Sequence, residues 1–137
     1  MILDTDVIVA ALRSSTGASA EIVRRVLRRE MHIELTVAMV LEYEAVATRA
    51  EHLEAGQLSL GEATNLIDAL AALAQPVEIH FRWRPQLRDA DDEMVLEAAI
   101  NARDRTIVTF NTRDFAGAAK RFDVTLATPG QILEKLK

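Results

Sequence analysis

Asp4, Glu42, Asp92 and the pair Asn111/Asp114 lie far apart along the chain, yet all offer oxygen to a hard cation. Oxygen-only ligands suit Mg²⁺ or Mn²⁺ rather than softer metals. Cysteine is absent, which removes thiolate ligands, disulfides and a sulfur nucleophile together. None of His32, His52 or His80 falls at a strand's carboxyl edge, so the chemistry has to run on carboxylates. One or two divalent ions held this way can clamp a phosphodiester, turn bound water into hydroxide and stabilise the leaving oxygen. One carboxylate would orient that water.

Each position also has a plainer reading. Glu42 at a core rim pairs readily with an arginine. Three aspartates among Asp89, Asp91 and Asp92 stand at a helix start, where one of them serves as the cap. Asn111 or Thr112 caps a short helix, with Asp114 in its first turn. Singly these alternatives hold. Capping does not need three aspartates in four positions, and the four sites share no cheap common explanation.

The elements that must position them are legible as alternating runs. Apolar stretches of strand length fall at residues 1–3, 32–36, 77–81 and 106–109, with a fifth at 124–127. Helical patterns fill most gaps, which predicts an α/β fold: a three-layer α/β/α sandwich on a central, mainly parallel five-stranded sheet. Residues 1–137 read as a single domain, with no repeat or linker. Asp4 directly follows the first apolar run and so takes the carboxyl end of a central strand, where open α/β sheets bind ligands. Residues 7–12 open a first helix and 18–30 form a second. A third is predicted over 37–54, with Met39, Tyr43, Val46, Ala50 and Leu53 as its core stripe. Glu42 lies roughly 60° from the centre of that stripe and Glu44 roughly 140° away, so Glu42 turns inward. Glu44 is the fallback if the phase differs. Ser59 and Glu62 form a capping box for a helix to about residue 74, and the hairpin of this helix with the third is a candidate dimer or partner face. A helix over 93–102 follows the aspartates. Thr128-Pro129 opens a last helix to residue 137.

The chain has 137 residues, half of them apolar, and a net charge of −5. That composition excludes disorder. No apolar run reaches the roughly 20 residues of a membrane span, and no basic leader precedes Asp4; the expected compartment is the cytoplasm. Negative net charge argues against nucleic acid, but cations held by carboxylates would offset it. Apart from Lys120, Lys135 and Lys137 the basic residues are arginines, the better bidentate phosphate donors. Arg82, Trp83, Arg84 and Arg88 interleave cations with an aromatic ring, which suits single-stranded RNA or simply caps the core. Arg24, Arg25, Arg28 and Arg29 form either a solvated helix face or a phosphate or partner contact.

These features together resemble the PIN-domain family, and within it the VapC-type toxins of bacterial toxin–antitoxin pairs. The likeness rests on the run from Leu3-Asp4-Thr5-Asp6 to Leu12, on Thr36 through Glu42, on Asp92 with Ala98-Ala99, and on Val108 through Phe115. It covers nearly the whole chain. It implies a Mg²⁺- or Mn²⁺-dependent endoribonuclease, the toxin of such a pair, with an RNA substrate, an antitoxin partner and a homodimer. Carried over, Asp4, Glu42, Asp92 and Asp114 are the metal-binding and catalytic positions. Thr5, Asp6, Thr109 and Asn111 are polar supports. Two positions depart from the family pattern: Asp6 replaces the usual Asn or Ser, and Asn111 replaces a common Asp. They leave open a rival in which the domain has lost catalysis and serves as a protein-binding platform. A phosphoacceptor receiver domain is discounted, because Lys120 lies too far past Thr109.

Overall fold

The computed structural model describes residues 1–80 and 86–136. Strands β1 (Ile2–Leu3), β4 (Thr106–Val108) and β5 (Thr125–Ala127) pair in parallel in the order β1-β4-β5. Ile2, Leu3, Ile107 and Val108 are fully buried. A strand covered on both faces has no polar side to alternate, which is why these segments read as unbroken apolar runs.

The five-stranded sheet expected from sequence is divided. β2 (Glu34–Leu35) and β3 (Gln75–Pro76) form their own parallel pair. A single strand-like hydrogen bond, from Glu34 N–H to the Met1 carbonyl at 2.9 Å, links β2 to β1. β3 lies at residues 75–76 rather than 77–81: β2 ends where Thr36 caps the next helix, so Val77 makes the last hydrogen bond of this pair among the described residues. Gln75 and Val77 donate to the Ile33 and Leu35 carbonyls, each at 2.9 Å. Pro76 therefore sits where its missing N–H faces away from β2 and costs nothing.

Helices flank these strands: α1 (Thr5–Arg13), α2 (Ala18–Leu27), α3 (Val37–Ala47), α4 (Ala50–Gly56), α5 (Leu60–Leu73), α6 (Ala90–Asn101), α7 (Thr112–Phe122) and α8 (Pro129–Glu134). This is the α/β class predicted. The helix expected over 37–54 is two helices. The Thr48 hydroxyl donates back to the Glu44 carbonyl at 2.7 Å, and Arg49 turns extended before α4 begins. Ser and Thr bonding of this kind competes with the helix ladder. Ala50 consequently ends up exposed instead of in the core stripe. Gly56 touches the end of α1 so closely that a β-carbon there would stand 2.2 Å from the Leu12 carbonyl oxygen. The capping box of α5 forms as predicted. α8 opens on Thr128 and Pro129 as expected, gains a capping box with Gln131 that was not foreseen, and stops at Glu134 rather than residue 137.

Candidate active site

The apolar run of β1 ends at Asp4, which is 6 % exposed. Asp4 occupies the N-cap position of α1, yet its carboxylate makes no capping hydrogen bond. Instead its Oδ2 accepts from the Thr109 hydroxyl at 2.7 Å. Thr109, fully buried just past β4, in turn accepts from the Asn111 N–H at 2.9 Å. Parallel pairing of β1 with β4 sets both residues at the same sheet edge. Tyr43 adds a brace from α3: its hydroxyl donates to the carbonyl of Leu3, next to Asp4.

Asp6, in the first turn of α1, binds the turn after β4. Its Oδ2 accepts from the Phe110 N–H at 3.0 Å and from the Asn111 side-chain amide at 3.3 Å. Its Oδ1 is buried and has no hydrogen-bond partner among the described residues. Thr5, half-buried, lies between the two aspartates as the first residue of α1. Asn111 holds the N-cap position of α7 without a side-chain cap bond, because its amide is turned toward Asp6.

From α6 comes Asp92, half-buried. The structural duties of this helix start fall to its neighbours. Asp89 is the cap, accepting the Asp91 N–H at 2.8 Å. Glu93, 6 % exposed, accepts the N–H groups of Gln86 and Leu87. Asp92 receives no hydrogen bond among the described residues. Asp114, in the first turn of α7, is exposed.

The electrostatics tie these groups together. Burial first, and then the charge of Asp6, push the Asp4 carboxyl up to about 6. Burial, Asp4, Asp89 and Asp114 push Asp92 up to about 6. Asp6 is raised as well, mainly by burial and in part by Asp92. Like charges drawn together without a cation raise one another in this way. Glu42 is half-buried and Glu44 exposed, as the helix phase predicted. However, after burial it is Asp91 and Asp89 that raise Glu42, so it faces the outer side of the cluster.

The donor set, all carboxylate and amide oxygen with one buried oxygen unpartnered, fits a hard divalent cation in its chemistry. The spacing is looser. Among the described residues no three of His, Asp or Glu converge closely enough to hold a metal ion as the side chains stand. Among the described residues no hydrogen bond holds the side chains of Asp92 and Asp114, so turning them inward between rotamers is inexpensive.

Arg82, Trp83 and Arg84 lie outside the described residues. Arg88 is exposed and lines a cleft of about 460 Å³ beside the carboxylates, with Asp92, Asp114, Gly117 and Arg121 on its walls. A larger pocket of about 600 Å³ lies at the start of α3 and is walled mainly by apolar groups, including Val37, Ile79 and Met94. Arg24 and Arg25 pair with Glu21 at 3.0 Å, which supports their reading as a solvated face. The sequence reading missed Arg121, Glu93 and the Tyr43 brace; a lone tyrosine in an apolar stripe was the available signal for the last.

A family model described as PIN domain matches residues 1–113. No match is found to a curated protein sequence or to a solved structure. Among the described residues no helix is long and apolar enough to cross a membrane.

Proposed function

The chain belongs to the PIN-domain family, and from that premise we propose that it is a Mg²⁺- or Mn²⁺-dependent endoribonuclease. PIN domains are in general metal-dependent nucleases that act on RNA. The observation that carries the reading is the set of acidic side chains at one sheet edge, with Asp4, Asp6 and Asp92 raising one another's affinity for protons. In this reading Asp4, Asp92 and Asp114 hold the cation, and Glu42 completes the set from the outer side. When bound, the ion supplies hydroxide at neutral pH and neutralises charge on the scissile phosphate.

The protein's own groups prepare that seat. Thr109 fixes the Asp4 carboxylate by donating to one oxygen, which leaves the other toward the cluster. Asp6 ties the turn after β4 through Phe110 and Asn111, so the start of α7 and Asp114 are held against α1. Burial of β1 and β4 beneath the edge excludes water from below. The same reading takes residues 1–137 as one domain, working in the cytoplasm as the toxin of a toxin–antitoxin pair. An antitoxin and a second copy of the chain would be its protein partners.

The test is cleavage of single-stranded RNA with Mn²⁺ and with chelator, on the wild type and on Asp92→Asn. Chelator-sensitive cleavage that disappears in the variant supports the reading. Equal cleavage in both refutes the assignment of Asp92. The looseness of the ligand set favours a second reading, a catalytically silent domain that serves as a protein platform. Calorimetric titration with Mn²⁺ separates them: a silent platform takes up no ion at the acidic edge.

A further inference from the structure

The 460 Å³ cleft is lined by cations as well as by Asp89, Asp92 and Asp114. Asp114, Gly117 and Arg121 follow one another on one face of α7, at the spacing that stacks side chains along a helix. The Arg121 side chain reaches back over Gly117: its Nη1 stands 3.6 Å from where a β-carbon on that glycine would be. Its Nη2 donates to Gln86 Oε1 at 3.1 Å. The guanidinium thus bridges α7 and the loop before α6. That loop is secured from inside, because buried Glu93 accepts the N–H groups of both Gln86 and Leu87. Arg88, from the same loop, adds a second cation to the cleft.

Two features here go beyond what joining α7 to the loop requires. A glycine inside a helix costs about 1 kcal/mol against alanine, yet the 3.6 Å gap above Gly117 would accept a β-carbon. Arg121 makes no ion pair among the described residues and rests on a neutral amide. A phosphate oxygen would be the stronger acceptor, since hydrogen bonds between charged partners are roughly twice as strong as neutral ones. Missing bulk on the floor and an underused guanidinium above it describe a seat for an anion.

We propose that this cleft binds the phosphate adjacent to the scissile one in single-stranded RNA, with Arg121 as its principal donor and Arg88 as the second. Gln86 gives up its hydrogen bond when the phosphate arrives. The inference rests on the nuclease reading above. It adds a division of labour: the carboxylates hold the cation and the reacting phosphate, and the arginines hold its neighbour. Arginine suits the task because its fork matches two phosphate oxygens at once.

The test measures binding apart from chemistry. A labelled short single-stranded oligoribonucleotide is titrated by anisotropy in Ca²⁺, and cleavage is followed separately in Mn²⁺. Arg121→Gln should raise Kd and KM about ten-fold, the size of one charged hydrogen bond. It should leave kcat nearly unchanged and make the salt dependence shallower by about 0.7 in logarithmic slope. Arg121→Lys should recover part of the affinity. Gly117→Leu fills the floor and should weaken binding similarly, while its melting temperature holds or rises because leucine favours the helix. A wild type that cleaves RNA alongside both variants with unchanged Kd and salt slope overturns the cleft assignment and leaves the nuclease reading standing. A fall in kcat alone in Arg121→Gln also overturns it. A wild type that neither binds nor cleaves RNA brings down the nuclease reading and, with it, this one.

Discussion

Two sets of buried carboxylates stand in contrast. Glu34 and Glu93 are each 6 % exposed, and each accepts two backbone N–H groups. Glu34 holds the turn at Arg103 and Asp104, both at 2.9 Å; Glu93 holds the loop before α6. Asp4 is as deeply buried, but it faces other carboxylates and has been driven up to about 6. Asp92 is raised by burial and by the like charges of Asp4, Asp89 and Asp114. Burial of an acid therefore does not distinguish scaffold from chemistry. What distinguishes them is whether the protein itself supplies the compensating donors.

The contrast can be tested from its strongest consequence downward. Asp92→Asn should lower Mn²⁺-dependent cleavage by at least ~100-fold, a loss typical of a group that stabilises charge in a transition state. Its melting temperature should match or exceed the wild type's, because a repulsive charge is gone. A fall in stability comparable to that of a scaffold acid would erase the distinction. Glu34→Ala should do the reverse. It strands two N–H groups and should cost about 3 kcal/mol, or roughly 8 °C in melting temperature, with activity surviving below the transition. A wild-type melting curve for this variant would remove Glu34 from the scaffold set.

A third consequence concerns pH. Because folding raises the Asp4 and Asp92 carboxyls above their ordinary 3.8, the stability tied to their protonated forms is complete below that value. It is lost as pH rises through about 6. Metal-free protein should therefore melt lower at pH 6.5 than at pH 4.5, and Mg²⁺ should offset the difference. Asp4→Asn should flatten the metal-free profile. A flat wild-type profile would mean that the repulsion is already relieved. The smallest effect is expected for Asp6→Asn, which keeps an acceptor for Phe110 and removes one charge. Melting should rise slightly and cleavage should persist; a loss as deep as that of Asp92→Asn would make Asp6 a cation ligand rather than a support.

Much of this was legible in the residues because it was local. An apolar run that stops at an aspartate marks the strand end, and a 3.6-residue phase separates Glu42 from Glu44. The surplus of aspartates at the start of α6 resolves into one cap, Asp89, and one residue, Asp92, that accepts no hydrogen bond among the described residues. Long-range pairings were not legible. Nothing near Glu34 in sequence announces Arg103 and Asp104, and nothing near Glu93 beyond proximity announces Gln86. The break between α3 and α4 carries no proline or glycine, since a threonine hydroxyl made it. α7 was read as short, so the face that joins Asp114 to Arg121 went unseen.

Pro76 has one more consequence. The outer rim of β3 offers a newcomer no amide hydrogen at the position where a neighbouring chain would seek one. Runaway stacking of copies, rim to rim, is blocked on that flank. A strand approaching there would find only the Pro76 carbonyl to bond, one acceptor without its donor.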